Sequence, residues 1–186
     1  MASPLSLPTG LVSPRLCVRD VQEADLADLL KFNAVDAVTQ FLPYTSWTSL
    51  QQAQDWYSRM QAMADLGAGQ QYVIVDKKTQ CCIGSCLLMR FDAASARAEL
   101  GYVLSQDYWR QGLMREAVST LIEQAFSVWG LARLEAEVNP RNTPSVHLLE
   151  RLGFRREGLL RQRWLAKGQR YDTAIYGLLA DEWLNP

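Results

Sequence analysis

The stretch YWRQGLMREA, residues 108–117, decides the fold that we predict. Gly112 stands where a helix begins, although glycine there costs about 1 kcal/mol relative to alanine. From Leu113 to Trp129 apolar residues recur at spacings of three and four, which predicts one amphipathic helix that ends at Gly130. A glycine at such a helix start indicates an unusual backbone conformation or the close approach of a ligand.

Strand-like runs flank this helix, over 97–104 before it and 131–139 after it. Two strands joined by one helix run parallel, with a right-handed crossover. The remaining strands follow one another through short turns, so that the rest of the sheet is predicted to be antiparallel. We therefore expect an α+β fold with a mixed, mostly antiparallel sheet. Further strands are predicted at 15–21, 71–76, 81–91, 154–165 and 170–179, and further helices at 23–33, 49–67 and from an N-cap at Thr143 to Gly153.

The length of 186 residues suits a single domain, which we place at 15–186. Residues 1–14 contain three prolines among Ser, Thr and Gly, and they are interpreted as a flexible N-terminal arm. The net charge of −1 gives no basis for a nucleic-acid groove or a polybasic membrane patch. No apolar run reaches the length of a membrane span, so neither nucleic acid nor a membrane is expected as a partner.

Four cysteines occur, at 17, 81, 82 and 86, without the basic and apolar pattern of a secretion signal. Reduced thiols and a cytoplasmic location are therefore expected. Cys82 and Cys86 lie in a run typical of a buried strand, and His147 is the only histidine. Because free cysteine is among the most buried residue types, we interpret this pair as core thiols and predict no metal site.

A strand, a glycine-containing turn and a helix N-terminus together favour an anion site, because the first helix amides have no intrahelical partner and the dipole adds positive potential. Arg110 and Arg115 could add contacts to phosphate oxygens. The polar loop NPRNTPS, residues 139–145, lies at the carboxyl end of the neighbouring parallel strand, where ligands bind in open sheets. The turn alone is equally compatible with an ordinary helix entry.

Three segments resemble the GNAT superfamily of N-acetyltransferases and its RimJ/RimL-like group: AELGYVLSQDYWRQGLMREAV at 98–118, VNPRNTPSVHLLERLGFRREGLLRQ at 138–162 and RYDTAIYGLLADEW at 170–183. The resemblance implies a GNAT-like sheet with helices on both faces and acetyl-coenzyme A in a cleft at the parallel crossover. It places the pyrophosphate on the turn. The implied coenzyme-binding residues are Tyr102, Val103, Leu104, Trp109, Arg110, Gln111, Gly112, Leu113, Met114, Arg115 and Asn142.

The resemblance and the strand pattern together give candidate catalytic residues. Glu99 lies on the face of its strand that carries Gly101 and Val103, which makes it the first candidate for the base; a solvated carboxylate is the alternative. Ser145 is implied to reach the sulfur, although helix capping is the alternative for both Asn142 and Ser145. The family often has a tyrosine as general acid where this chain has Leu149, so that acid is missing here. Glu135 and Glu137 are weaker base candidates.

The function implied is transfer of an acetyl group to a primary amine, which attacks the thioester directly. The acceptor is either the N-terminal α-amine of a protein or a small-molecule amine, and the sequence does not separate these classes. A non-catalytic module that binds acyl-coenzyme A is the alternative, because the usual tyrosine is missing. The protein is expected to be a monomer or a homodimer.

Overall fold

The computed structural model describes residues 5–7 and 9–185. They form one eight-stranded sheet in the order β1-β2-β3-β4-β5-β6-β8-β7. Neighbouring strands are antiparallel, except β5 and β6, which run parallel. The strands are β1 (Leu11–Val12), β2 (Leu16–Asp20), β3 (Gln70–Asp76), β4 (Cys82–Asp92), β5 (Arg97–Leu104), β6 (Arg133–Val138), β7 (Arg155–Ala166) and β8 (Gln169–Leu179).

Helices cover both faces of the sheet. Side chains alternate along β3, so that Tyr72 belongs to the core under α4 and α5 and Val73 to the core under α1 and α3. The predicted α+β class and the parallel crossover through α4 are therefore confirmed. The helices are α1 (Leu26–Asn33), α2 (Asp36–Thr39), α3 (Leu50–Asp65), α4 (Leu113–Ser127), α5 (Thr143–Arg151) and α6 (Ala180–Leu184).

The parallel pairing of β5 with β6 is short. It joins only Arg97–Glu99 to Arg133–Glu135. Beyond this point β5 stays paired with β4 as far as Leu104, and β6 stays paired with β8 as far as Val138. The carboxyl ends of the two strands consequently separate, and a gap opens between them.

The N-terminal segment differs from the prediction of a flexible arm. Leu5 and Leu7 are buried in the core. The buried Tyr72 hydroxyl donates to the Leu5 carbonyl at 2.6 Å, and the Leu7 amide donates to Asp20 at 2.9 Å. Residues 11–12 then form β1, which pairs with β2. Residues 1–4 and 8 lie outside the described part of the chain, but Leu5, Leu7 and β1 attach the predicted arm to the rest of the fold.

The start of α5 also differs by one residue from the prediction. Asn142, not Thr143, is the N-cap, and its Oδ1 accepts from the Ser145 amide at 3.4 Å. Pro144 lies in the first turn, as predicted, because its missing N–H removes no hydrogen bond there. α4 ends at Ser127 with Val128 as its C-cap, two residues before the predicted end at Trp129, although Gly130 has the predicted left-handed backbone, with a φ of 66°.

The packed N-terminal segment gives a stability prediction. Leu7→Ala should lower the free energy of unfolding by about 2–5 kcal/mol, because it removes a buried side chain and leaves a cavity. Val12→Ala, in the same segment but 67% exposed, should change it by no more than about 0.5 kcal/mol. Urea denaturation followed by circular dichroism measures both. Equal small effects for the two variants would contradict the role of Leu7 in the core.

Candidate active site

The turn before α4 takes a conformation that favours glycine. Gly112 is the N-cap with φ 74° and ψ 3°, in the left-handed region. Arg110, two residues earlier, also has a positive φ, of 60°. A Cβ added at Gly112 would meet only Arg15 Nη2, at 3.7 Å. The backbone conformation, rather than crowding by the chain, therefore explains the glycine.

The turn presents a row of backbone donors. Among the described residues, the amides of Arg110 to Arg115 have no protein acceptor, and the first amide of this region to find one is that of Glu116, which donates to the Gly112 carbonyl at 3.1 Å. The side chains of Leu113 and Met114 are buried in the core, so these two predicted residues offer only their N–H groups. Unpaired donors at a helix N-terminus fit an anion such as a pyrophosphate.

Arg15, which the sequence did not single out, braces this turn. Its Nη1 donates to the Gln111 carbonyl at 2.9 Å, and its Nε donates to Glu116 at 2.6 Å. Glu116 also accepts from Ser13 Oγ at 2.7 Å. The carboxylate of Glu116 in the first turn of α4 would otherwise repel an anion, and Arg15 offsets that charge.

Trp109 joins the turn to the end of β5. Its indole Nε1 donates to the Leu104 carbonyl at 2.8 Å, while the ring remains 40% exposed. Arg110 and Arg115 have exposed side chains without an ion-pair partner among the described residues. Both arginines are therefore free to contact an anion held by the turn amides.

The backbone of β5 determines which amides face the gap. The Ser105 amide donates to Ile83, opposite it on β4, at 2.8 Å. Hydrogen-bonded and non-hydrogen-bonded pairs alternate in an antiparallel ladder, so the N–H groups of Tyr102 and Leu104 face away from β4, into the gap. The N–H of Val103 faces β4. Val103 therefore does not direct its N–H into the gap, and its predicted contact with the coenzyme stays a prediction.

A hydroxyl pair bridges the gap from β5 to α5. The Tyr102 hydroxyl lies 2.8 Å from Ser145 Oγ. Burial raises the pKa of Tyr102 well above its ordinary value, so that its hydroxyl remains protonated. The sequence pointed to the backbone of Tyr102 but contained no signal for its side chain. Ser145 therefore has a polar partner as well as a place in the first turn of α5.

Glu99 is buried, with 4% of its surface exposed, and belongs to an ion-pair network. Arg90 Nη1 donates to Glu99 at 2.5 Å and to Glu137 at 3.0 Å. Burial raises the pKa of Glu99 above its ordinary value, and the charge of Arg90 opposes that rise. For Glu137, burial acts upward, but hydrogen bonds from Trp164 and Arg90 bring its pKa below the ordinary value.

One open cavity of about 330 Å³ brings several predicted residues together. Glu99, Tyr102, Val103, Asn142 and Ser145 all line it. The turn residues 109–115 do not line it and lie beyond the end of β5. The gap between β5 and β6 hence has two ends: a row of free amides at the turn and a cavity with a buried carboxylate.

The cysteines near β4 differ in how far they are buried. Cys82 and Cys86 are buried, and burial raises the pKa of each thiol to about 12. Cys81, just before β4, is exposed. Within residues 5–7 and 9–185, no cluster of three or more His, Cys, Asp or Glu side chains could hold a metal ion. In the same residues, no helix has the length and apolar composition needed to cross a membrane.

Comparison with known proteins identifies the family. The family model described as "Acetyltransferase (GNAT) domain" matches residues 15–155. The chain belongs to the GNAT family of acetyltransferases. The uncharacterized N-acetyltransferase p20 of Bacillus licheniformis is 35% identical over 173 residues, which cover 93% of this chain and 97% of p20. The fold and the enzyme class expected from the resemblance are thereby confirmed.

Two further proteins refine this placement within the family. The [ribosomal protein uS5]-alanine N-acetyltransferase of Escherichia coli is 34% identical over 84 residues, or 45% of this chain and 43% of that protein. The crystal structure of a probable GNAT-family acetyltransferase from Chromobacterium violaceum matches with a TM-score of 0.87 and 25% identity over 98% of this chain and 92% of that one. The resemblance to the RimJ/RimL-like group is confirmed.

The turn gives a binding prediction. Gly112→Val should weaken acetyl-coenzyme A binding at least tenfold, about 1.4 kcal/mol, because valine disfavours a positive φ and the turn amides would change direction. Gly130→Val is the matched control, since Gly130 also has a positive φ and no atoms crowd its added Cβ. Isothermal titration measures affinity, and circular dichroism checks folding. Unchanged affinity in a folded Gly112→Val protein would mean that the coenzyme does not use this turn.

Proposed function

We propose that this GNAT protein transfers the acetyl group of acetyl-coenzyme A to a primary amine, which attacks the thioester directly. The observation that carries the proposal is the gap between β5 and β6: the cavity lined by Glu99 and Ser145 lies there, and the free amides of residues 110–115 follow the end of β5. A family fold with only one of these ends would support binding but not transfer.

The residues present fit the coenzyme. The amides of the turn, with Arg110 and Arg115 beside them, provide donors for the pyrophosphate. Asn142 uses its side-chain oxygen to cap α5, and its amide nitrogen remains available to the pantetheine arm. When bound, acetyl-coenzyme A supplies an acyl carbon activated as a thioester.

Glu99 is assigned as the base that takes a proton from the acceptor amine, directly or through a water molecule. An amine must be neutral to attack, and a carboxylate with a raised pKa accepts a proton more readily than an exposed one. Arg90 favours the ionised form of Glu99, which is the form that can act as a base. These two effects act in opposite directions and together keep a buried carboxylate both charged and basic.

The remaining charge changes are assigned to β5 and α5. The N–H groups of Tyr102 and Leu104 face the gap and would donate to the carbonyl oxygen as it gains negative charge. Ser145 would give its hydroxyl proton to the departing sulfur. A thiol with a pKa near ~8.5 is a fair leaving group, so that this protonation assists rather than controls the reaction.

The acceptor and the alternative function are tested by one experiment. Incubation with acetyl-coenzyme A and either N-terminal peptides or small primary amines, followed by a thiol reagent, measures transfer. Release of free thiol that depends on the amine supports the enzyme and identifies the acceptor class. Tight binding of acetyl-coenzyme A without amine-dependent release would support the non-catalytic binding module instead.

The base assignment predicts that Glu99→Gln lowers the rate by about 10² to 10⁴, the usual contribution of general acid–base catalysis. The affinity for acetyl-coenzyme A should hardly change, because Glu99 lies at the acceptor end of the gap. Glu157→Gln is the control, since Glu157 is a strand carboxylate that pairs with Arg133 outside the cavity. Initial rates at pH 6 to 9 measure the effect. A rate for Glu99→Gln within threefold of wild type would contradict the assignment.

The α5 residues give a separate prediction. Ser145→Ala should lower kcat more than it changes the affinity for acetyl-coenzyme A. Asn142→Ala and Asn142→Ser should both weaken that affinity, because each removes the amide nitrogen, while serine retains a capping oxygen. Only Asn142→Ala should therefore lose about 1 kcal/mol of stability. If all three variants keep the wild-type kcat and affinity, and only Asn142→Ala has a lower melting temperature, then these residues serve only to cap α5.

A further inference from the structure

The cavity beside Glu99 has a mostly apolar wall. Apolar and aromatic side chains come from the loop after α2, from α3, from β4 and from β7: Phe41, Tyr44, Trp56, Leu87, Met89 and Trp164. The Trp164 indole donates to Glu137 at 2.8 Å, which fixes the ring at the cavity edge. Such a wall suits a flat or aliphatic group attached to the amine, since ligand pockets bind apolar groups with walls of this kind.

The charged groups of the cavity are few and are already paired. Among the described residues that line it, the charged side chains are Glu99, Glu137 and Arg90, two negative and one positive. Arg90 bonds to both carboxylates at once. The site therefore retains a single net negative charge, enough for one ammonium group.

An extended polycation would also meet positive charge outside the cavity. A second cavity of about 410 Å³ adjoins the first and shares Phe41 and Tyr171 with it. Its charged lining residues in the described chain are Arg141 and Lys167, and the Lys167 Nζ donates to the Thr39 carbonyl at 2.7 Å. A second cationic centre that reached beyond the first cavity would be repelled there.

The backbone of β4 directs Arg90 into the cavity. Its pairing with β5 shifts register between Met89 and Asp92, and Arg90 itself has a φ of 52°. A bulge of this kind re-aims a side chain, and a positive φ in a residue other than glycine is unfavourable unless its surroundings maintain it. The ion pairs to Glu99 and Glu137 are interactions that maintain it.

We propose that Arg90 determines acceptor specificity: its guanidinium, held between Glu99 and Glu137, makes the site select a primary monoamine attached to an apolar group and reject polyamines. The inference rests on the proposed acetyl transfer to an amine. One ammonium group can approach Glu99, whereas a second one nearby meets the positive charge of Arg90. Rejection by like charge is a common source of specificity.

The test compares 2-phenylethylamine, an aromatic monoamine, with spermidine. The kcat/KM of the wild type should favour 2-phenylethylamine at least tenfold. Arg90→Gln should raise the ratio of spermidine to 2-phenylethylamine at least tenfold, because both carboxylates become available to cations. Arg90→Lys, which retains the positive charge, should keep most of the wild-type preference. Arg97→Gln is the matched control, because Arg97 pairs with Asp92 and Glu135 and does not line the cavity.

Titration of each amine into the protein loaded with coenzyme A measures the two dissociation constants, and their ratio gives the preference between the amines independently of turnover. Binding in the expected order without turnover would contradict the proposed acetyl transfer and leave the selectivity standing. If Arg90→Gln folds but lowers kcat/KM equally for both amines, Arg90 acts only on Glu99, and the inference is overturned. A wild-type preference for spermidine, or failure of 2-phenylethylamine both to bind and to react, would overturn it as well.

Discussion

The short parallel ladder between β5 and β6 is the feature on which the site depends. Pairing stops after Glu99 and Glu135, yet each strand continues on its outer neighbour. Backbone polar groups in a folded core are almost always paired, so the N–H groups of Tyr102 and Leu104 need a ligand or water. The separation of the strands thus creates both the cavity and the donors that face it, and α4 places a second set of free amides at the same edge.

The charge of the cavity depends on the buried carboxylate of Glu99 and on the charged groups that contact it. Burial raises the pKa of Glu99, and the charge of Arg90, which donates a hydrogen bond to it, opposes that rise. Glu137 completes the balance, because it shares Arg90 and is held by Trp164. In the proposed mechanism, the guanidinium of Arg90 that favours the ionised form of Glu99 also limits how many cations bind beside it. Basicity and selectivity would then depend on one side chain, so a variant of Arg90 must be judged by the ratio of its activities toward different acceptors.

The sequence allowed the sheet and the crossover helix to be predicted, because both depend on local periodicity, and it marked Gly112 as unusual, because glycine is unfavourable at a helix start. The packing of Leu5 and Leu7 could not be predicted, because the prolines around them indicate a loop and two leucines are too few to show a helix or strand periodicity. The direction of the Arg90 side chain depends on the β-bulge in β4, and no pattern in the amino-acid sequence indicates that bulge. The direction of the Val103 N–H could not be predicted either, because it is set by pairing with β4, which the sequence of one strand does not reveal.

The position of Leu149 raises the question of what replaces the tyrosine acid common in the family. Leu149 is fully buried and lines the cavity, and its side chain has no group that could donate a proton. Tyr102 approaches from the opposite side of the gap and pairs with Ser145. Because burial keeps the Tyr102 hydroxyl protonated, that hydroxyl can donate to Ser145 Oγ, which leaves the Ser145 proton directed elsewhere. The proposed donation from Ser145 to the sulfur would thus use a hydroxyl pair from β5 and α5 in place of the tyrosine that the family resemblance implies on α5.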